Sequence, residues 1–119
     1  MNPQLEGIEK IPGTYVFDLA TSVRTLRINR FFWRMTDAAY RERFRADAEA
    51  LFESEGLSAQ ERELIRRRDW LGLVRYGVCF FVLEKFARVV KLSNPEVYAS
   101  MRGETLETFL ATRNVPGAR

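Results

Sequence analysis

Cys79 is the one thiol in the chain, and no histidine accompanies it. Without imidazole there is no histidine general base, no His-ligated zinc and no iron site of two histidines and a carboxylate. A nucleophilic cysteine needs surroundings that stabilise its thiolate. Cys79 instead stands between Val78 and Phe80 in an apolar run, which predicts a packed core cysteine. Carboxylates occur in close pairs, Glu53 with Glu55 and Glu61 with Glu63, but a two-residue spacing sends them to different faces of a helix. They read as solvated surface. Arg24, Arg27, Arg30 and Arg34 recur near helical spacing, and Arg66, Arg67 and Arg68 form a basic triplet. Asp37, Asp47, Glu61 and Glu63 dilute both groups, and the net charge is only +3, so salt bridges and solvated faces outweigh nucleic-acid contact. Gly72 and Gly77 match neither dinucleotide nor P-loop spacing and are expected to let a neighbouring helix approach closely. On these residues, no catalytic group and no metal ligand is assigned, and no cofactor is expected on this chain.

The elements that would position these side chains are helical. Asp69 to Leu92 is the longest apolar run, and its Leu73, Val74, Phe80, Phe81, Val82, Leu83, Phe86, Val89 and Val90 go most of the way round a helical wheel. This predicts one buried central helix over about 70–91, capped by Asp69. Arg75, Glu84, Lys85 and Arg88 interrupt the run too often for a membrane span. Before it, Asp18 caps a short helix to about Thr25, and Asn29 caps another, Arg30 to Met35, carrying Phe31, Phe32 and Trp33. Asp37 opens a helix over 38–54 that Gly56 ends. Capping boxes at Ser58–Glu61 and Ser93–Glu96 start two more helices, the second burying Val97 and Met101, and Thr105 caps a last one through Thr112. Ile11, Pro12, Gly13 and Thr14 read as a type II turn leading into an extended Tyr15, Val16 and Phe17.

No segment alternates as a strand does, so the fold class is all-α: six or seven helices in an irregular array around the central one. The 119 residues form one domain, with 1–10 a loose N-terminal arm and 113–119 a C-terminal tail. A single cysteine and no N-terminal charged-then-apolar pattern make cytoplasm the expected location.

Five stretches resemble, in order, the small (alpha) subunit of protocatechuate 4,5-dioxygenase, the LigA-type subunit of two-subunit extradiol ring-opening enzymes. They are IPGTYVF at 11–17, INRFFWRM at 28–35, RERFRAD at 41–47, RRDW at 67–70 and CFFVLEKF at 79–86. The resemblance implies an all-helical subunit that holds no metal and lies across the active-site mouth of a larger catalytic (beta) subunit. That partner would carry Fe(II), its histidines and carboxylate, and the general base. In the family the segment before the final helix supplies an aromatic wall beside the bound catechol. By order this is Ser93 to Gly103, where Asn94, Tyr98 and Met101 replace a Phe-rich pattern.

Two function classes follow. In the first, the chain is a noncatalytic dioxygenase subunit for aromatic catabolism, with Asn94, Tyr98 and Met101 forming a substrate-proximal lid. Pro12, Gly13, Phe31, Phe32 and Trp33 would belong to the partner interface, and the isolated chain is expected to self-associate through an apolar patch. In the second, a stand-alone helical module kept the fold and binds another protein or an apolar small molecule. A nucleic-acid binder using the arginines comes third.

Overall fold

Local capping fixes most helix starts. In the computed structural model, which describes residues 3–112, Asp18 accepts from the Thr21 amide to open α1 (Leu19–Arg24). The expected tail at 113–119 lies outside the described residues. α2 (Leu26–Trp33) follows with Thr25 alone between them, so Asn29 sits inside α2 and caps nothing on its own helix. Asp37 caps α3 (Ala38–Ala46), and α4 (Ala48–Ser54) follows. The Ser58–Glu61 box opens α5 (Ala59–Arg66), and Asp69 caps α6 (Trp70–Tyr76) through the Gly72 amide. α7 (Phe80–Val89), α8 (Asn94–Met101, behind the Ser93–Glu96 box) and α9 (Leu106–Ala111, capped by Thr105) complete the set. Among the described residues there is no strand, and the fold is all-α. Short 3-10 turns occupy Pro3–Leu5, Ile8–Lys10 and Arg34–Thr36. The type II turn is present, with Gly13 at φ +80° and the Thr14 amide donating to the Ile11 carbonyl at 3.1 Å.

Two expected continuous helices are broken, which raises the count to nine α-helices among the described residues. The central helix over 70–91 divides at Gly77, whose φ of +118° only glycine adopts without strain. A Cβ there would also come within 2.7 Å of the Thr21 methyl, so α1 can approach closely because the side chain is missing. The helix over 38–54 divides at Asp47 (φ −159°, ψ 90°). Its carboxylate prefers to accept from the Ala50 amide, and a short polar side chain bonded this way draws the backbone out of the helix.

The break at Gly77 also corrects how the apolar wheel is read. α6 and α7 are each one-sided, and joining two one-sided segments out of phase produces the pattern of a helix that is apolar all round. α7 buries Val82, Leu83, Phe86, Ala87 and Val89. Phe81 falls in phase with the exposed Lys85 and Arg88, on the outward face.

α2 packs on α7, α6 meets α5 and α8, and α8 packs on α9. The centre of the core is aromatic. Phe31 presents its ring to Phe32, Tyr40, Phe44 and Phe52 at centroid distances of 5.2, 6.0, 6.1 and 5.7 Å. Phe86 closes the cluster from α7 against Phe32, Phe44 and Trp70 at 5.0, 5.4 and 5.8 Å. Phe31 and Phe32 are therefore fully buried and cannot belong to an interface patch, a correction to that expectation. Two adjacent rings turned inward, Phe31 and Phe32, leave Trp33, next in sequence, on the outer face at 58% exposure. The described residues form a slab of 48 × 40 × 22 Å with a radius of gyration of 16.3 Å, against about 13 to 14 Å for a compact chain of this length. Such a shape has more surface to cover.

Candidate binding cleft

The Gly77 break and the Tyr15–Phe17 lead-in together enclose a half-open cleft of about 430 Å³. Tyr15, Phe17, Val74, Val78, Phe80 and Phe81 give it apolar walls, and Thr21, Arg24 and Arg75 are its polar lining. Chain direction explains the geometry. The turn at Pro12–Gly13 delivers residues 15–17 in extended form, while the break turns α7 away from α6 so that α7 opens beside them.

Asn29 holds the break in place. From inside α2 its Nδ2 donates to the Gly77 carbonyl at 3.2 Å and to Thr25 Oγ1 at 3.0 Å, while its Oδ1 accepts from the Cys79 amide at 2.8 Å. One buried-side amide thus satisfies the backbone that two helix ends leave unpaired. Asn29 is therefore not the cap of a helix over Arg30–Met35; inside α2 it bonds the backbone of the 77–79 break instead.

Cys79 lines this cleft and is exposed, not packed in the core, because the break lifts it out of helical phase. It is the N-cap residue of α7 and makes no side-chain capping bond, so the first-turn amides of α7 have no side-chain acceptor.

The arginines mostly have partners. Arg34 meets Glu55 at 2.6 Å and lies over the Tyr40 ring at 4.4 Å. Arg27 donates to the Gly56 carbonyl at 3.3 Å, and Arg66 grips Glu49 through two bonds of 2.7 and 2.6 Å. Arg24 and Arg75, like Arg27, make no ion pair among the described residues. Arg24 donates to the Tyr76 carbonyl at 2.6 Å and stacks over that ring at 4.6 Å; Arg75 donates through Nε to the Tyr15 hydroxyl at 3.3 Å. Burial and the Glu61 charge raise the Tyr76 pKa. Glu61 itself is buried, a correction to its reading as solvated surface, since its carboxylate accepts from the Ser58 amide at 2.8 Å to complete the capping box. Basic side chains also gather where no sequence motif marks them: Arg41, Arg45, Lys85 and Arg88 surround a more open depression of about 280 Å³.

The candidate lid residues lie on α8, and the structure brings two of them together. Tyr98 donates to Glu84 Oε1 at 2.8 Å and Asn94 donates to the same oxygen at 3.3 Å. The Glu84 carboxylate, with partial burial, raises the Tyr98 phenol pKa. Among the described residues Asn94 Oδ1 has no partner, and Met101 packs half-buried against the core. The Tyr98 ring stacks on Phe80 at 5.8 Å, so the lid segment and the cleft share a wall. Of the interface candidates, Pro12, Gly13 and Trp33 are exposed, and Phe31 and Phe32 are not. The sequence reading missed Leu19, Val23 and Leu26, all exposed on α1 and the start of α2 at spacings of four and three residues. An apolar repeat of that kind was the available signal. No three His, Cys, Asp or Glu side chains among the described residues converge to hold a metal, and no described helix is long and apolar enough to cross a membrane.

These features define an all-helical protein whose prominent concavity is apolar, with two guanidiniums, each bonded to a tyrosine of the lining or its neighbour, at its edge. Residues 28–114 match the family described as "Aromatic-ring-opening dioxygenase LigAB, LigA subunit", and the chain belongs to that family. It is also similar to gallate dioxygenase of Pseudomonas putida, with 48% identity over 114 residues, which make up 96% of this chain and 34% of that protein. The chain thus spans about a third of the length of that curated relative.

Proposed function

We propose that this chain is the noncatalytic small subunit of an extradiol-type aromatic-ring-opening dioxygenase and caps the active site of a separate catalytic subunit. The observation that carries this is the family match across 28–114 joined to the 48% identity with a gallate dioxygenase. The iron such chemistry needs does not suit the donors here, since the chain has no histidine and, among the described residues, its one thiol joins no cluster of carboxylates. Fe(II) is therefore assigned to the partner. What this chain's residues would do is wall and exclude water: Tyr98 and Asn94, held by Glu84, stand beside Phe80 as a rigid polar-aromatic edge.

The test is reconstitution. The purified chain alone should open neither gallate nor protocatechuate, and adding it to an iron-loaded extradiol catalytic subunit should form a complex and change ring-opening rate. Ring cleavage by the chain alone with stoichiometric iron, or failure to bind any such subunit, would overturn the reading. In the complex, Tyr98→Ala and Asn94→Ala should change the ratio of kcat/KM between gallate and protocatechuate without dissociating the subunits. The alternative, a stand-alone binding module, is favoured by the fact that this chain forms the cleft unaided.

A further inference from the structure

We propose that the basic depression beside the second half of α7 is a binding site for one compact, multivalent oxyanion of the phosphate class. It lies between α3, the 3-10 turn Arg34–Thr36 and α7, toward the opposite end of α7 from the cleft, and both helices pack on that turn. Met35 and Val89 are buried and supply its apolar part. Arg41, Arg45, Lys85 and Arg88 stand around it, and Thr36 adds a hydroxyl.

No carboxylate lines the depression, and the acidic side chains nearest in sequence are engaged elsewhere. Glu84 accepts from Tyr98 at 2.8 Å and from Asn94 at 3.3 Å, and Asp37 accepts from the Ala39 amide at 3.1 Å. Glu42 does meet Arg45 at 2.7 Å, but both side chains of that pair are exposed, where such a contact is weak and easily opened. Arg41, Lys85 and Arg88 make no ion pair among the described residues. Arg41 is half-buried and already oriented: its Nη1 donates to the Met35 carbonyl at 2.9 Å, leaving Nε and Nη2 without a partner among the described residues. Lys85 is placed over the Trp33 ring at 5.9 Å. Four like charges around one hollow repel, so an anion that meets several of them at once relieves the empty site. Guanidinium forks match the oxygens of a phosphate, and the lysine adds a point charge. A monocarboxylate would engage one or two of the cations and leave the rest idle. The volume of about 280 Å³ lies just under the usual range of small-molecule pockets, roughly 300 to 1,000 Å³, as suits a compact ion. A nucleic-acid strand would call for cations that track a backbone, whereas these converge on one hollow.

The site uses no residue of the lid or the cleft, so it is tested on the full chain alone, and its failure would leave the dioxygenase reading untouched. The experiment is an amide-resolved NMR titration with pyrophosphate, orthophosphate and acetate at constant ionic strength. Pyrophosphate is expected to give saturable shifts confined to residues 34–45 and 84–90, with orthophosphate weaker by about tenfold and acetate not saturating. Arg88→Gln, at an exposed position, should weaken pyrophosphate by about fivefold, and Arg88→Lys should recover part of the loss. Joining Arg88→Gln to Lys85→Gln should abolish saturation. Arg67→Gln makes the same charge change at an exposed position outside the depression and should leave pyrophosphate binding unchanged. A loss with Arg67→Gln as large as with Arg88→Gln would mean that net charge alone is read, and would overturn the proposal. Shifts that never saturate, or that saturate elsewhere on the chain, would overturn it as well. Tighter binding of a single-stranded oligonucleotide, with shifts spreading to residues 24–34 and 66–68, would make this surface a nucleic-acid interface and overturn it equally.

Discussion

Phe31 and Phe86 are fully buried, while Phe17 and Phe81 are 54% and 75% exposed, although all four lie in apolar stretches of similar composition. The first pair belongs to a cluster of rings from α2, α3, α4, α6 and α7 that encloses the centre of the slab. The second pair lines the cleft, and Leu19, Val23 and Leu26 on α1 and the start of α2 are exposed as well. Burial in this protein is decided by which face a helix turns inward after each break, and residue type says little about it. The difference separates what holds the fold from what the fold presents: core rings stabilise the chain, whereas exposed rings cost solubility and are retained for something that binds.

The sharpest break of that comparison is a pair of truncations. Phe86→Ala removes a buried ring in contact with four others and should destabilise by about 3 to 5 kcal/mol, read from urea denaturation. Equal stability of this variant and the parent would mean the aromatic cluster is not the core. Asn29→Ala should come next, at about 1 to 3 kcal/mol, because it strips partners from the Gly77 carbonyl and the Cys79 amide together. Amide exchange should rise first at residues 77–79. A loss spread evenly over the chain would show that the side chain does not specifically hold the break.

Phe81→Ser separates presentation from stability. At an exposed site the change in unfolding free energy should stay within about 0.5 kcal/mol. Self-association of the isolated chain, followed by sedimentation velocity, should nevertheless fall, because a ring is removed from the apolar surface around the cleft. A parent protein that remains monomeric at every concentration would sink the expectation that this surface needs a cover.

The sequence made local structure legible and tertiary phase illegible. Ser58–Glu61, Ser93–Glu96, Asp18, Asp37, Asp69 and Thr105 announce helix starts because a capping bond spans three residues or fewer and needs nothing from elsewhere. The Pro12–Gly13 turn was readable for the same reason. The break at Asp47 rests on a local bond to the Ala50 amide and is masked by the continuing apolar period alone, whereas the break at Gly77 is hidden because an apolar period continues on both sides and its deciding contacts come from Thr21 and Asn29, some fifty residues earlier. Cys79 and Phe81 were misjudged as consequences of that one missed break. The cleft joins residues 15–24 to 74–81, so neither half showed its partner. Asn94 and Tyr98 lie close along the chain, but that Glu84, ten and fourteen residues away, holds both of them is a tertiary contact that no local pattern marks.

The smallest effect is expected on the polar side of the same comparison, at Glu49. Arg66 grips this carboxylate from α5 through Nε and one terminal nitrogen, and that hydrogen bonding is the largest cause lowering the Glu49 pKa. A carboxylate with a folded pKa below its unfolded one contributes stability above the ordinary glutamate range, about 4.3, and loses it as pH falls through the folded value. The pair should therefore steepen the acid limb of the stability curve while leaving the alkaline limb untouched. Both side chains are largely exposed, so water and salt screen the attraction, and ordering two flexible chains offsets much of it. Glu49→Gln should thus flatten the acid limb below pH ~4.3 and change stability at neutral pH by less than Asn29→Ala does, with 1 M salt shrinking the difference further. Urea denaturation from acid to neutral pH would show it. A neutral-pH loss as large as that of Phe86→Ala would mean that surface charge carries the fold, and the contrast between core rings and presented surface would have to be drawn elsewhere.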